Sequence, residues 1–106
     1  MEGQLVIDVP EQQLKEFCHR WNLIEFAFFG SILREDFQPD SDIEVLVTFS
    51  PDTHRSLFDL VTMQYELETL LGSKVELVER PALERSPNYI RRKSILDTME
   101  IIYTAG

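Results

Sequence analysis

A glycine-serine pair, Gly30-Ser31, stands ten residues ahead of Asp42-Ile43-Glu44, and that triplet opens the apolar, β-branched run Ile43 to Phe49. The run reads as a strand. Carboxylates two apart on a strand point to the same face. Like charges held together in this way repel unless a cation lies between them. A glycine at the end of a strand lets a ligand come close to the backbone. If Ser31 opens a short helix, its free N–H groups form an anion site. Taken singly, Gly-Ser is an ordinary turn and the two acids an ordinary solvated strand edge. Together they suggest Mg²⁺ on the acids and nucleotide phosphates on the turn, since Mg²⁺ takes one or two carboxylates plus phosphate oxygens and water.

Around this motif, helical and strand patterns alternate, which argues for an α/β domain. Leu14, Phe17, Cys18 and Trp21 recur at helical spacing after Pro10, predicting an amphipathic helix from Glu11 to Trp21. Ile24 to Phe29 reads as a buried strand ended by Gly30, and Ser31 to Arg34 as one helical turn. Gln38-Pro39-Asp40-Ser41 has loop chemistry. A second helix is traced by Leu57, Leu60, Val61, Gln64, Leu67, Leu70 and Leu71, with Gly72 as its stop. Lys74 to Val78 alternates charged and apolar residues and predicts a third strand that ends before Pro81. Ser86-Pro87 suits an N-cap and first helical residue for a last helix, with Arg91, Arg92 and Lys93 on or near its exposed side. Glu100 to Tyr103 is either the end of that helix or a short final strand.

Glu76 is a third acid of interest. If its strand lies beside Ile43 to Phe49, it joins Asp42 and Glu44 on one face; otherwise it is an outward position of a half-buried strand, a reading that Lys74 on the same side favours. His19 and His54 lack metal-ligand spacing and read as surface residues. Cys18, Phe26, Phe28 and Phe29 read as core residues.

With 106 residues, 43% of them hydrophobic, the chain suits one small folded domain with one core. No apolar run approaches the ~20 residues of a membrane helix. The first residues lack the basic region and cleavage site of a signal peptide. Cys18 is the only cysteine, which excludes an internal disulfide. These features favour the cytoplasm. The formal net charge of −9 speaks against nucleic acid as a general partner and suits a basic protein partner, although acidity also serves solubility alone.

The motif and its spacing resemble the minimal nucleotidyltransferase (MNT) family, within the DNA polymerase beta-like nucleotidyltransferase superfamily. That family's pattern is Gly-Ser, ten residues, Asp-x-Asp, and a third Asp on a later strand. Phe29, Gly30, Ser31, Arg34 and Pro39-Asp40-Ser41-Asp42 match it, and so does the order of elements over nearly the whole chain. Glu44 stands for the second Asp, Glu76 for the third, and Glu35 for a usual glycine.

The resemblance implies a nucleotidyltransferase fold, a small mixed sheet of three to four strands flanked by helices, over residues 1–106. It implies nucleotide binding by Gly30, Ser31, Arg34 and Ser41. Asp42, Glu44 and Glu76 become the catalytic and Mg²⁺-binding acids, with ATP as substrate. A minimal domain is expected to borrow its acceptor site from a partner. In this family the partner is commonly a helical HEPN ribonuclease toxin, so a hetero-oligomer is expected. The MNT protein serves as antitoxin by transferring AMP to a toxin tyrosine. Two readings stay open. One is an enzyme that adenylylates its toxin. The other is a catalytically weakened domain that neutralises the toxin by covering it, in line with the two glutamates.

Overall fold

A computed structural model describes residues 9–33 and 41–105 of the chain. Arg34 and Asp40, singled out by the sequence motif, lie outside the described residues.

The elements run α1 (Glu11–Arg20), β1 (Leu23–Phe29), a 3₁₀ turn (Gly30–Leu33), β2 (Ile43–Phe49), α2 (Leu57–Leu71), β3 (Val75–Glu79), α3 (Arg80–Glu84), α4 (Tyr89–Thr98) and β4 (Glu100–Thr104). The strands form one mixed four-stranded sheet in the order β3-β2-β1-β4. β1 pairs antiparallel with both β2 and β4, while β2 pairs parallel with β3. The α/β architecture read from the sequence is therefore present, and Glu100 to Tyr103 belongs to a strand. No described helix is long and apolar enough to cross a membrane.

The two faces of the sheet are packed differently. Phe26 and Phe28 of β1 and Ile43, Val45 and Val47 of β2 are buried together with Leu14, Phe17 and Cys18 of α1 and Met63 and Leu67 of α2. Phe26 meets Phe17 and Phe28 edge-on, with ring centroids 6.4 and 5.4 Å away, a geometry that adds to the burial itself. The same burial pushes the Cys18 thiol up to about 12, so it is a packing group and not a reactive one. Glu66 joins the two helices by accepting from Trp21 Nε1 at 2.9 Å and pairing with Arg20 at 2.6 Å.

On the opposite face, Ala27, Phe29 and Leu46 pack with Leu83 of α3 and Ile95 of α4. The charge-assisted pair of Arg80 Nη1 and Glu25 Oε1, 2.6 Å apart, ties α3 to β1, and the hydrogen bond to Glu25 raises the pKa of Arg80. This smaller cluster leaves one end of the face open.

Local chemistry accounts for the element ends. Ser56 and Asp59 form a reciprocal capping box at the start of α2. Gly72 ends that helix with φ +73°, as its sequence position predicts. The Val75 N–H then donates to Glu68 Oε2 at 3.0 Å, which fixes where β3 begins. One sequence expectation is corrected. The last helix is capped by Asn88, whose side chain accepts from the Arg91 N–H at 3.1 Å, so it starts at Tyr89 and not at Pro87. Ser86 instead accepts from the Asn88 N–H at 3.2 Å. The third strand ends before Pro81 as expected, and Arg80–Glu84 then makes a short helix, which the sequence reading did not include, with Pro81 at its start, where the missing N–H is no loss.

Two stability predictions follow from this packing. Phe26→Ala is expected to cost about 3–5 kcal/mol, read as a lowered urea midpoint. At Gly72 a Cβ meets nothing within 4 Å, so the cost of Gly72→Ala is backbone strain alone. That strain is about 1–2 kcal/mol, and Gly72→Asn should lose less, because Asn tolerates the left-handed conformation better.

Candidate active site

The sheet topology brings the motif residues to one end. β1 runs toward Gly30 and β2 starts beside it, with Phe29 opposite Glu44. Because β3 is parallel to β2, it starts at the same end, with Glu76 directly beside Glu44. Residues paired across adjacent strands share a face. Glu44 and Glu76 therefore lie on the incompletely covered face, the one that carries Phe29 and Leu46. Asp42 sits exposed just before the strand, with Ser41 half-buried ahead of it. The sequence question about Glu76 is resolved in favour of its sharing a face with Glu44.

The Gly-Ser turn is formed as the sequence suggested. Gly30 has φ +79° and opens the 3₁₀ turn. Its missing side chain makes room for a neighbour, since a Cβ built there would lie 2.2 Å from Glu44 Oε2. The Ser31 N–H donates to that same carboxylate oxygen at 3.4 Å, and Ser31 Oγ donates to the Asp42 carbonyl at 3.4 Å. Glu44 thus reaches from the strand onto the turn, and a carboxylate already occupies the place suited to an anion.

Glu76 is directed elsewhere. Its carboxylate is 52% exposed and lies 3.9 Å from the Arg91 guanidinium of α4, itself 45% exposed. Among the described residues, no three acidic, histidine or cysteine side chains stand close enough together to hold a cation. Glu44 and Glu76 share a face, and the three acids do not converge. The donor set nonetheless suits Mg²⁺. It consists of carboxylate oxygens, and Mg²⁺ needs only one or two of them when phosphate and water complete its shell. Asp42 and Glu44 would be those two.

Between the turn and α4 lies an open groove of about 340 Å³, lined by Phe29, Gly30 and Glu44 on the sheet side and by Asn88, Ile90, Arg91 and Ser94 on the helix side. Sequence reasoning treated Arg91 as part of an exposed basic run. No pattern signal singled it out, because its role depends on where α4 docks. His19 and His54 are exposed, and Cys18, Phe26, Phe28 and Phe29 are buried, as expected.

With this geometry in view, comparison with known proteins is informative. Residues 10–101 match the model of the nucleotidyltransferase domain family. The protein adenylyltransferase MntA of Thermococcus cleftensis is 36% identical over 70 residues, which is 66% of this chain and 69% of that one. A solved structure described as a candidate minimal nucleotidyltransferase superposes with a TM-score of 0.64 at 28% identity, covering 84% of this chain and 85% of the other. A second, the tri-AMPylated HEPN toxin of Shewanella oneidensis in complex with its MNT antitoxin, gives a TM-score of 0.59 at 18% identity, covering 90% and 70%, and so bears on the fold. The chain belongs to the nucleotidyltransferase domain family.

Proposed function

We propose that this chain is a cytoplasmic antitoxin that transfers AMP from ATP to a tyrosine of a cognate HEPN ribonuclease toxin. The observation that carries the reading is the gathering of Gly30, Ser31, Asp42, Glu44 and Glu76 at one end of the sheet, beside an open groove. The similarity to an MntA adenylyltransferase supports adenylyl transfer as the reaction. Exposed Leu57, Phe58, Val61 and Tyr65 on α2 add apolar surface of the kind that protein partners cover.

In this reading the turn at Gly30 and Ser31 binds the triphosphate, with Arg34 and Ser41 as further nucleotide contacts. Asp42 and Glu44 hold Mg²⁺, which when bound supplies neutralisation of the phosphate charge. The tyrosine oxygen attacks the α-phosphorus. The bond from that phosphorus to the bridging oxygen breaks, and pyrophosphate leaves. Glu76 takes the phenolic proton, a role that contributes about 10²–10⁴-fold in comparable enzymes. Glu44 must leave the Ser31 N–H for phosphate to enter.

That same contact favours a second reading. A domain whose own carboxylate fills its anion turn can act as a binding-only antitoxin, with the acids retained as a remnant.

Intact-mass spectrometry of the HEPN partner, after incubation with this chain, ATP and Mg²⁺, separates the two. A gain of one or more adenylyl units is expected. A stable complex that blocks the ribonuclease without any mass gain would establish the binding-only reading. Asp42→Ala should slow transfer about 10²–10³-fold, while the melting temperature stays within about 2 °C of wild type, because Asp42 is an exposed acid. Gly30→Ala should also lose transfer, because the new methyl group displaces the Glu44 carboxylate and strains the turn, and its stability cost is expected at about 1–2 kcal/mol.

A further inference from the structure

Three consecutive basic residues, Arg91-Arg92-Lys93, lie on the first turns of α4, and the structure separates their roles. Arg92 donates to the Ser86 carbonyl and stacks its guanidinium 5.4 Å from the Tyr89 ring centroid. Lys93 pairs with Asp97 at 2.7 Å along the same helix. Both side chains are committed locally. Arg91 alone of the three lines the groove that also contains Gly30 and Glu44, and among the described residues it is the only cation that does so.

Among the described residues its ionic partner is Glu76, which is weakly held. The distance of 3.9 Å to Glu76 is beyond hydrogen-bond range, and both side chains are about half exposed. Such a pair contributes little to stability, so its presence needs no structural justification and its loss carries little structural cost. The backbone beneath it is firmly placed, since the Arg91 N–H is the group that Asn88 caps. The side chain is thus mounted on a fixed helix turn, lines the groove opposite Glu44 and is free to change partner.

A nucleotide triphosphate entering this groove meets Glu44 in its lining, with Glu76 paired beside Glu44 on β3, on a chain whose net charge is already −9. The polyanion requires cationic partners beyond a metal ion. Arginine's planar fork suits phosphate oxygens better than a point charge does. We propose that Arg91 is a nucleotide-binding residue, leaving Glu76 to pair with the phosphates of the bound substrate. The inference rests on the nucleotidyltransferase reading of the groove. It adds a phosphate contact from α4, on the side opposite the Gly30-Ser31 turn. Releasing Glu76 from Arg91 also leaves that carboxylate available to accept a proton.

The test is calorimetric titration of the full chain with Mg²⁺ and a non-hydrolysable ATP analogue. Wild type is expected to bind, and Arg91→Ala to bind about 10- to 100-fold more weakly, the effect of losing one or two charge-assisted hydrogen bonds. Arg91→Lys should recover part of the loss. In transfer assays, KM for ATP should rise by a similar factor while kcat changes less. Glu76→Gln provides the control for a purely neutralising role. If Arg91 serves only to offset Glu76, the double variant Glu76→Gln/Arg91→Ala will bind like Glu76→Gln alone, and the proposal fails. Persistence of the loss in that background supports direct phosphate contact. Wild-type affinity in Arg91→Ala, with wild type itself binding, overturns this inference and leaves the reading of the groove intact. Absence of binding in wild type overturns both.

Discussion

Everything in the site depends on the pairing of β2. It lies between β1 and β3, antiparallel to the first and parallel to the second, and its register with each is set by burial. Ile43, Val45 and Val47 must face the α1–α2 layer, where they are fully enclosed. A shift of one residue would turn them outward and bring Glu44 into the core. The apolar alternation therefore holds Glu44 on the other face, opposite Phe29 and beside Glu76. The position of the acids is a consequence of how the core packs.

The two layers differ in completeness, and that difference makes a groove. Two helices of 10 and 15 residues close one face of the sheet. The other receives a five-residue helix and α4, anchored by Leu83, Ile95 and the Arg80–Glu25 pair. The anchored region covers Ala27, Phe29 and Leu46 and leaves Glu44 and Glu76, at the starts of β2 and β3, less covered. A sheet face left partly bare at its strand ends is a natural place for a ligand, since backbone groups and side chains from several strands converge there. α4 contributes the facing wall, with Arg91 directed inward.

The contact of Glu44 with Gly30 and Ser31 joins the two halves of the motif physically. One glycine accepts a positive φ and leaves the volume that a carboxylate enters. The same property that admits Glu44 would admit a phosphate, since both are anions seeking the Ser31 N–H. Glutamate's longer arm is what lets the side chain reach back onto the turn. An aspartate at this position would be one methylene shorter. Glu44 is thus the group that occupies the turn in this chain.

The helix and strand periods, the stop at Gly72, the core aromatics and the spacing from Gly30-Ser31 to Asp42 and Glu44 were all legible in the sequence. Each depends on neighbours within a few residues or on a fixed repeat. Tertiary structure decided what depends on distant partners. It placed Glu76 beside Glu44 through a parallel pairing that no local pattern encodes. It made a strand of Glu100–Thr104 because β1 offered a free edge. It also divided Arg91, Arg92 and Lys93, alike as sequence, into one residue facing the groove and two bound to their own surroundings. Local spacing specifies which residues can act together, but only the packing of a helix against a sheet determines which of several equal charges faces the site.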